Sequence, residues 1–192
     1  MYEPNVTTLL IVGCWLIWGA YWIANWSRSK ATAVQQNVGA RLAYRVPTVI
    51  AYVLLMSDLH FVPIVRLVCL PHSPITAAIG SFFCVAGTAI SIAARKILDT
   101  NWSADVVLKE GHTLVDAGPY RLVRHPIYTG MLMMFLGTAV VRGLLGPLIA
   151  VPIAVFAFWI KASQEETLLL RQFPTMYLDY QSRTKRLIPY IL

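Results

Sequence analysis

Charged residues are scarce in this sequence of 192 residues. They account for 13% of it, whereas a soluble domain carries about 25%. Hydrophobic residues account for 57%, and the mean hydropathy is +0.61. This composition excludes an ordinary soluble domain, and we therefore predict an integral membrane protein with room for one compact unit.

Acidic residues are fewer than basic residues. There are 9 of them against 16 lysines and arginines, which gives a formal net charge of +7. An excess of basic residues raises the question of nucleic-acid binding. Most of these residues, however, flank apolar runs, where they anchor helix ends to anionic lipid headgroups. The charge therefore predicts membrane lipids as partners and no nucleic acid.

Cysteine is also rare. Cys14, Cys69 and Cys84 lie within or beside apolar runs, and no two of them form a CxxC pair. This spacing predicts neither a disulfide framework nor a metal site, and the free thiols are expected to act as small apolar groups. The amino-terminus lacks the basic region and the cleavage site of a removable signal peptide, so the first apolar run is expected to remain as a span.

Three apolar runs predict membrane spans in the first half of the sequence, because about 20 apolar residues cross the hydrocarbon core. They are Val6–Trp26, a less regular second run, and Ile75–Ala94. The second run is ambiguous, since only twelve residues separate Arg45 from Asp58. Either the helix begins near Val38 and its arginines extend to the interface, or it continues past Asp58 and His60.

The second half predicts a helical hairpin followed by an amphipathic helix. A turn over Arg142–Pro147 joins the apolar runs Ile127–Val141 and Leu144–Ile160. From Lys161 onward the apolar positions recur at helical spacing, with an interruption near Pro174. We predict an all-α integral membrane fold of about five transmembrane helices. Three lie in residues 1–96, and the loop, the hairpin and the carboxyl-terminal helix lie in residues 97–192 of the same integrated domain.

The basic residues also predict an orientation. With five spans and Met1 outside, 14 of the 16 lysines and arginines fall on the cytoplasmic side, and only Arg66 and Arg142 fall on the other. This asymmetry predicts a cytoplasmic carboxyl-terminus. It also places the polar stretch between Gly111 and Gly130 on the same side as the carboxyl-terminal segment, so that a site can form between them.

The passage from Gly111 to Gly130, GHTLVDAGPYRLVRHPIYTG, is the one long polar stretch in the sequence. Glycine and proline interrupt it, so it cannot form one continuous helix. Its candidate functional residues are His112, Tyr120, Arg121, Arg124, His125 and Tyr128. A binding or catalytic loop is one interpretation. The other is a basic juxtamembrane connector that only sets topology, with His125 capping a helix.

A second polar cluster contains Glu165 and Glu166 at the inner mouth of the last predicted span, where an unpaired carboxylate is costly. A cation is therefore expected nearby, and Arg121, Arg124, Lys161 or a cationic ligand could supply it. Physical chemistry alone leaves both a structural salt bridge and a functional site open.

Together these elements resemble the isoprenylcysteine carboxyl methyltransferase family, and the related phospholipid N-methyltransferases share the RHP-x-Y-x-G and EE elements. The matching elements are NWS at Asn101–Ser103, HTLV at His112–Val115, GPYRLVRHPIYTG at Gly118–Gly130, Glu165-Glu166, and the tail from Phe173 to Pro189. In that tail Pro174 stands where glycine is usual. The resemblance covers about Asn101 to Pro189, and the first spans show only generic hydrophobicity.

The resemblance implies methyl transfer from S-adenosylmethionine at the cytoplasmic face of the membrane. It implies a cofactor site lined by His112, Thr113, Leu114, Val115, Tyr120, His125, Pro126, Ile127, Tyr128 and Glu165. It assigns substrate handling to the position of Lys161, where the family has arginine, and Arg124 is a second substrate-binding candidate. The catalytic base stays open, with Glu165 and Glu166 as candidates, and no metal is required.

The expected reaction is carboxyl O-methylation of a lipophilic substrate that enters from the bilayer, while the cofactor enters from the cytoplasm. Phospholipid N-methylation and thiol S-methylation are alternatives. A sterol-reductase-like NADPH enzyme is a more remote alternative. Those reductases share part of the membrane architecture and a similar tyrosine-rich tail, but the HTLV and RHP-x-Y elements resemble the methyltransferases more closely. A small transporter is another alternative, but it would place polar residues inside several spans rather than at their inner mouth.

Overall fold

The computed structural model describes residues 6–26, 32–34, 37–57, 59, 61–99, 102, 106, 108–109 and 114–189. Its six α-helices are α1 (Val6–Ala24), α2 (Val38–Met56), α3 (Pro74–Leu98), α4 (Pro126–Arg142), α5 (Leu145–Gln172) and α6 (Pro174–Arg183). Short 3-10 turns cover Pro63–Arg66 and Gly118–Arg121. Strands β1 (Thr32–Val34) and β2 (Leu108–Lys109) pair antiparallel. The predicted helical class is confirmed, and this strand pair is the one departure from it within the described ranges.

Four helices, α1, α2, α3 and α5, are long and apolar enough to cross a membrane. Helix α4 is apolar but has 17 residues. The chain is therefore an integral membrane protein, whereas the count of five spans stays a prediction. The spans predicted at Val6–Trp26 and Ile75–Ala94 correspond to α1 and α3.

Helix α2 follows the first of the two courses left open by the sequence. It begins at Val38, where the Asn37 side chain caps it by accepting a hydrogen bond of 3.2 Å from the Ala40 amide. It ends at Met56, so Arg45 lies inside it. Asp58 and His60, which the other course would have included, fall outside the residues that the structure describes.

The predicted hairpin is present, and α4 and α5 are separated only by Gly143 and Leu144. Gly143 has a φ of +63°, and its carbonyl accepts hydrogen bonds from the amides of Cys69 at 2.8 Å and Leu70 at 3.0 Å. Helix α5 continues without a break through Lys161 and ends at Gln172. The polar residues predicted to open a separate segment therefore share the α5 helix, and the break falls before Pro174, as predicted.

Helices α3 and α4 pack with their backbones in contact because glycines face each other. A Cβ added to Gly130 would lie 2.5 Å from the Gly87 carbonyl oxygen, and one added to Gly80 would lie 2.6 Å from that of Gly137. Small residues at membrane helix interfaces allow this close approach. The packing fixes α4 against the longer α3 and so fixes where α4 begins, which is where the polar loop ends.

The tryptophans of α1 face the bundle. Trp15 Nε1 donates a hydrogen bond of 3.0 Å to Thr138 Oγ1 in α4, and its ring meets the Phe135 ring edge-on at 5.7 Å. Trp22 meets Trp102 edge-on at 6.4 Å. The stripe thus packs on neighbouring elements, one of the two roles that aromatic stripes usually have. It also brings the end of α1 to the end of the bundle that holds the polar loop.

Candidate active site

The carboxyl-terminal strap, residues 184–187, lies along the polar loop that precedes α4. Val123 and Lys185 form a parallel bridge. The amides of Arg124 and His125 donate hydrogen bonds to the carbonyls of Lys185 at 2.8 Å and Arg186 at 3.1 Å. Because these bonds are between backbones, the strap is joined to the loop along its length, and it forms one wall of the site.

Glu166 of α5 is the central carboxylate of the site, and its side chain is only 4% exposed. Its Oε1 accepts hydrogen bonds from Arg124 Nε at 2.8 Å and Arg186 Nε at 3.2 Å. Its Oε2 accepts from Arg186 Nη2 at 2.6 Å and Gln181 Nε2 at 3.3 Å. Two guanidinium groups therefore neutralise this buried charge, which would otherwise be costly to keep away from water.

His125 lies between the two glutamates. Its Nε2 is 3.2 Å from Oε1 of Glu166, and its Nδ1 is 3.3 Å from Oε2 of Glu165. Burial alone lowers the pKa of His125, but the hydrogen bonds with Glu165 and Glu166 outweigh burial and raise this pKa above its ordinary value of 6.5. A doubly protonated imidazole can donate to both carboxylates at once, which a neutral ring cannot do.

Tyr128, in the first turn of α4, completes the cluster. Its hydroxyl donates a hydrogen bond of 2.5 Å to Glu165 Oε1. Its ring stacks with that of His125, at 5.5 Å between centroids, and with that of Phe158, at 5.2 Å. The stack fixes the ring plane, and the hydroxyl fixes Glu165, whose side chain is still 22% exposed.

Lys161 brings a positive charge to the aromatic side of the cluster. Its Nζ lies 5.3 Å from the centroid of the Tyr128 ring and 5.4 Å from that of Tyr44 in α2. These distances are within the range of cation–π attraction. The site thus spans α2, α4 and α5, and combines an ammonium, two aromatic faces and a partly exposed carboxylate.

The other residues predicted for cofactor binding lie at different depths. Pro126 and Ile127 are buried in the first turn of α4, and Leu114 and Val115 are half-buried ahead of it. Tyr120 is buried, and burial together with the nearby Glu165 carboxylate raises its pKa, so its hydroxyl stays protonated. His112 and Thr113 lie outside the described residues. Val115 packs on the same apolar cluster as Tyr120, Ile127 and Tyr128.

One polar candidate acquires partners that the sequence left open, and two residues of the site were missed. Arg124, a substrate-binding candidate, donates to Glu166 and also from Nη1 to the Thr184 carbonyl at 2.5 Å. Arg186 was not among the candidate site residues, although it belongs to the tail that carried the resemblance. Tyr44 was also missed, because nothing in the α2 sequence shows which helix its ring faces. No group of metal-ligating side chains is found within the described part of the chain.

The fold and the site define a helical membrane protein with a histidine–carboxylate cluster at one end of its bundle. Residues 75–176 match the family model described as phospholipid methyltransferase, and they make up more than half of the chain. The chain therefore belongs to the phospholipid methyltransferase family. The matching region contains His125, Tyr128, Lys161 and both glutamates.

Three curated relatives bear the name that the sequence resemblance suggested. The chain is 31% identical over 119 residues to the protein-S-isoprenylcysteine O-methyltransferase of Tribolium castaneum, a match covering 59% of this chain and 41% of the relative. It is 32% identical over 120 residues to that of Mus musculus, covering 60% and 42%. It is 37% identical over 86 residues to form A of Arabidopsis thaliana, covering 43% of each. The predicted resemblance is confirmed, and the chain spans less than half the length of these relatives.

Proposed function

We propose that this protein is a membrane methyltransferase that uses S-adenosylmethionine to O-methylate a carboxylate on a lipophilic molecule such as an S-prenylated cysteine. The cluster of His125, Tyr128 and Glu165, with the Lys161 ammonium over the Tyr128 ring, carries this proposal. It combines a cation-stabilising ring, a hydrogen-bonding carboxylate and a fixed positive charge. The isoprenylcysteine O-methyltransferases among its relatives support the same activity.

The described residues fit the proposed methyl donor. S-adenosylmethionine supplies a methyl group bonded to a positively charged sulfur, together with an ammonium, a carboxylate and an adenine ring. Aromatic faces attract cations, as Lys161 Nζ over the Tyr44 and Tyr128 rings illustrates, and a tyrosine face that this ammonium does not occupy can stabilise a sulfonium. Each Glu165 oxygen has one described polar partner and retains a further lone pair for an ammonium or a ribose hydroxyl.

Lys161 favours an anionic methyl acceptor. Its ammonium lies between the rings of Tyr44 and Tyr128, at the side of the cluster formed by α2. A carboxylate is attracted to this charge, whereas the ammonium headgroup of an aminophospholipid is repelled by it. For this reason we favour carboxyl O-methylation over phospholipid N-methylation, the reaction from which the family takes its name.

A carboxylate acceptor also removes the need for a general base, because it arrives in its nucleophilic form. Glu166 is poorly suited to that role, since both of its oxygens accept hydrogen bonds from arginines. In this mechanism the side chains hold the reacting groups in line and exclude water. Tyr128 and Glu165 position the donor, and Lys161 positions the acceptor carboxylate.

The site lies at one end of the bundle. At this end α1 ends at Ala24, α2 begins at Val38, α3 ends at Leu98, and α4 begins. We place this end in the cytoplasm, because the basic residues cluster there. Under this proposal the donor arrives from the cytoplasm, and the lipophilic acceptor arrives sideways from the bilayer. Accessibility of single cysteines introduced at exposed Arg183 and at exposed Arg66, measured in intact cells, tests the orientation.

Titration calorimetry of the purified protein with S-adenosylmethionine and with NADPH tests the proposed donor. We expect saturable binding of S-adenosylmethionine that Glu165→Ala weakens roughly tenfold, the equivalent of about 1.4 kcal/mol, and that Tyr128→Ala weakens by at least as much. The exposed Asp179→Ala is the control and should bind as the wild type does. Binding of NADPH alone would favour the reductase alternative, and binding of neither would favour a transporter.

Turnover with labelled donor then tests the acceptor. The two acceptors are an S-farnesylcysteine derivative with a free carboxylate and phosphatidylethanolamine in vesicles. We expect methylation of the first and an ester product that is cleaved by mild alkali. Methylation of the phospholipid alone, giving an alkali-stable N-methyl product, would replace the carboxyl assignment by N-methylation.

A further inference from the structure

The Arg186 side chain makes more directed contacts than an arginine that only sets membrane topology would need. Its guanidinium makes two hydrogen bonds to Glu166, from Nη2 at 2.6 Å and from Nε at 3.2 Å. Its Nη1 donates to Ser163 Oγ at 3.0 Å, and its Cζ lies 4.2 Å from the centroid of the Trp159 ring. Glu166, Ser163 and Trp159 of α5 therefore fix the position and the plane of the guanidinium. A planar guanidinium can make such paired contacts, whereas a lysine ammonium cannot.

Glu166 transmits this order to the histidine. Its Oε1 contacts Arg186 Nε and His125 Nε2, at 3.2 Å each, and it also accepts from Arg124. With Nε2 held there, the Nδ1 atom on the other side of the ring faces Glu165 Oε2 at 3.3 Å. A rotation of the Glu166 carboxylate would therefore turn the ring away from Glu165.

We propose that Arg186 is a positioning residue that acts through Glu166 to orient His125 and Glu165. The consequence for catalysis rests on the function proposed above, whereas the orientation of the ring does not. Arg186 reaches the site because the strap is bound along the polar loop, with its own carbonyl accepting from the His125 amide. The same residue thus holds His125 by its backbone and, through Glu166, by its side chain.

The groups that face His125 define what the proposal must explain. Glu165, Glu166 and the Tyr128 ring contact it directly. Arg124 and Arg186 lie beyond Glu166, and Lys161 lies beyond Tyr128. Arg124 binds only Oε1, through its Nε, whereas Arg186 binds both oxygens, so Arg186 is the residue that sets the plane of the carboxylate.

Ring-nitrogen NMR on protein labelled at histidine tests the orientation without using activity. The variants are Arg186→Gln, which removes the fork, and Arg186→Lys, which keeps a charge but not the bidentate geometry. His125→Asn identifies the His125 signals. The control is Arg183→Gln, three residues away, because Arg183 is exposed and its ion pair among the described residues is with the exposed Asp179.

We expect hydrogen-bonded His125 ring protons in the wild type and in Arg183→Gln. In Arg186→Gln these ring protons should exchange with solvent about tenfold faster, because the reoriented His125 ring loses one hydrogen bond to a charged carboxylate. In Arg186→Lys the exchange rate should be intermediate. If Arg186→Gln does not fold, Arg186→Lys still decides the question. His125 signals identical to the wild type in the variants that fold would overturn the proposal.

Steady-state kinetics with S-adenosylmethionine and the S-farnesylcysteine derivative test the consequence. In Arg186→Gln we expect kcat to fall by up to about 100-fold, as for a small misplacement of reacting groups, while the KM of the acceptor changes little. Arg186→Lys should recover part of kcat. Altered NMR signals with no methylation by the wild type would leave the positioning intact and remove the proposed function. Normal kcat and normal NMR signals in Arg186→Gln would remove the positioning role and leave the proposed function intact.

Discussion

Arg124 Nε lies 2.8 Å from Oε1 of Glu166, although 42 positions separate these residues in the sequence. The pair joins the polar loop before α4 to the site end of α5. For Glu166 it also identifies the cation among the three basic residues considered from the sequence, because Arg121 is exposed and the Lys161 ammonium lies over Tyr128 and Tyr44, where its charge acts on Glu165. With Arg186 as the second partner, Glu166 joins the loop, α5 and the strap.

Replacing Glu166 by alanine should therefore destabilise the fold. The change leaves two guanidinium groups without their shared carboxylate, and breaking a buried ion pair costs about 3–5 kcal/mol. The free energy of unfolding in mild detergent, measured with a chemical denaturant, checks this. The control is Asp179→Ala, which removes an exposed ion pair with Arg183 and should change stability by less than about 1 kcal/mol. Equal stability of the two variants would contradict a structural role for Glu166.

Tyr128 contributes a hydroxyl and an aromatic face, and substitutions can separate the two. Tyr128→Phe removes the hydrogen bond to Glu165 but keeps the ring between His125 and Phe158. We expect it to weaken S-adenosylmethionine binding by roughly tenfold or less, the value of one hydrogen bond. Tyr128→Ala removes both contributions and should weaken binding further. Calorimetry on the two variants decides, and equal affinities would mean that the ring makes no contribution to donor binding.

His125 predicts a pH dependence of stability. Its pKa in the fold is raised above the ordinary value of 6.5, because hydrogen bonds with Glu165 and Glu166 outweigh burial. The protonated form thus stabilises the fold. This contribution is complete below about pH 6.5 and is lost as the pH rises through the folded-state pKa. As the pH is raised from about 6.5 through the folded-state pKa, the Tm in detergent should therefore fall by more in the wild type than in His125→Gln.

His72→Gln is the control for this pH series. His72 is exposed in the segment before α3, at the far end of the bundle from the two glutamates. The pH profile of its Tm should therefore follow that of the wild type. A His125→Gln profile that also follows the wild type would show that another group causes the pH dependence.

Lys161 predicts the charge of the acceptor. Lys161→Met keeps a flexible unbranched side chain but removes the ammonium that lies over Tyr44 and Tyr128, so the KM of the S-farnesylcysteine derivative should rise roughly tenfold. Lys161→Arg keeps the charge and should retain a KM within about threefold of the wild type, a difference of less than 1 kcal/mol. A wild-type KM in Lys161→Met would show that this ammonium does not bind the acceptor.

The spans follow largely from the lengths of the apolar runs. α1, α3 and the hairpin were predictable, because the length of an apolar run and the charges at its ends indicate directly whether it can cross the membrane. The course of α2 was ambiguous, since Arg41 and Arg45 lie in its first turns, and run length cannot distinguish an arginine that extends to the interface from a helix end. Asn37, which caps α2, is the local signal that identifies its start.

In the site, the residue types were predictable and several of their partners were not. A buried carboxylate requires a cation, which is why a basic partner for Glu166 was expected. Arg186 lies beyond the break at Pro174, and it returns to α5 only because the strap pairs with Val123 at Lys185. The partner of Tyr44 was not predictable either, because an apolar helix pattern does not specify which neighbour each aromatic ring faces.

The glycine contact between α3 and α4 predicts that these helices tolerate no added methyl group there. A Cβ on Gly137 would lie 2.8 Å from the Cys84 amide nitrogen and 3.2 Å from Phe83 Cβ, and the first of these is backbone that cannot move aside locally. Gly137→Ala should lower the free energy of unfolding by about 1–3 kcal/mol through overpacking.

Gly13→Ala is the matched control, because a Cβ on Gly13 of α1 would meet nothing within 4 Å beyond its chain neighbours and its own helix backbone. Its stability should stay within about 1 kcal/mol of the wild type, since alanine is the better helix former. The comparison isolates helix contact from helix propensity, because both substitutions add the same methyl group to an apolar helix. If both variants are equally stable, α3 and α4 do not pack through their glycines, and the position of His125 at the start of α4 would need another explanation.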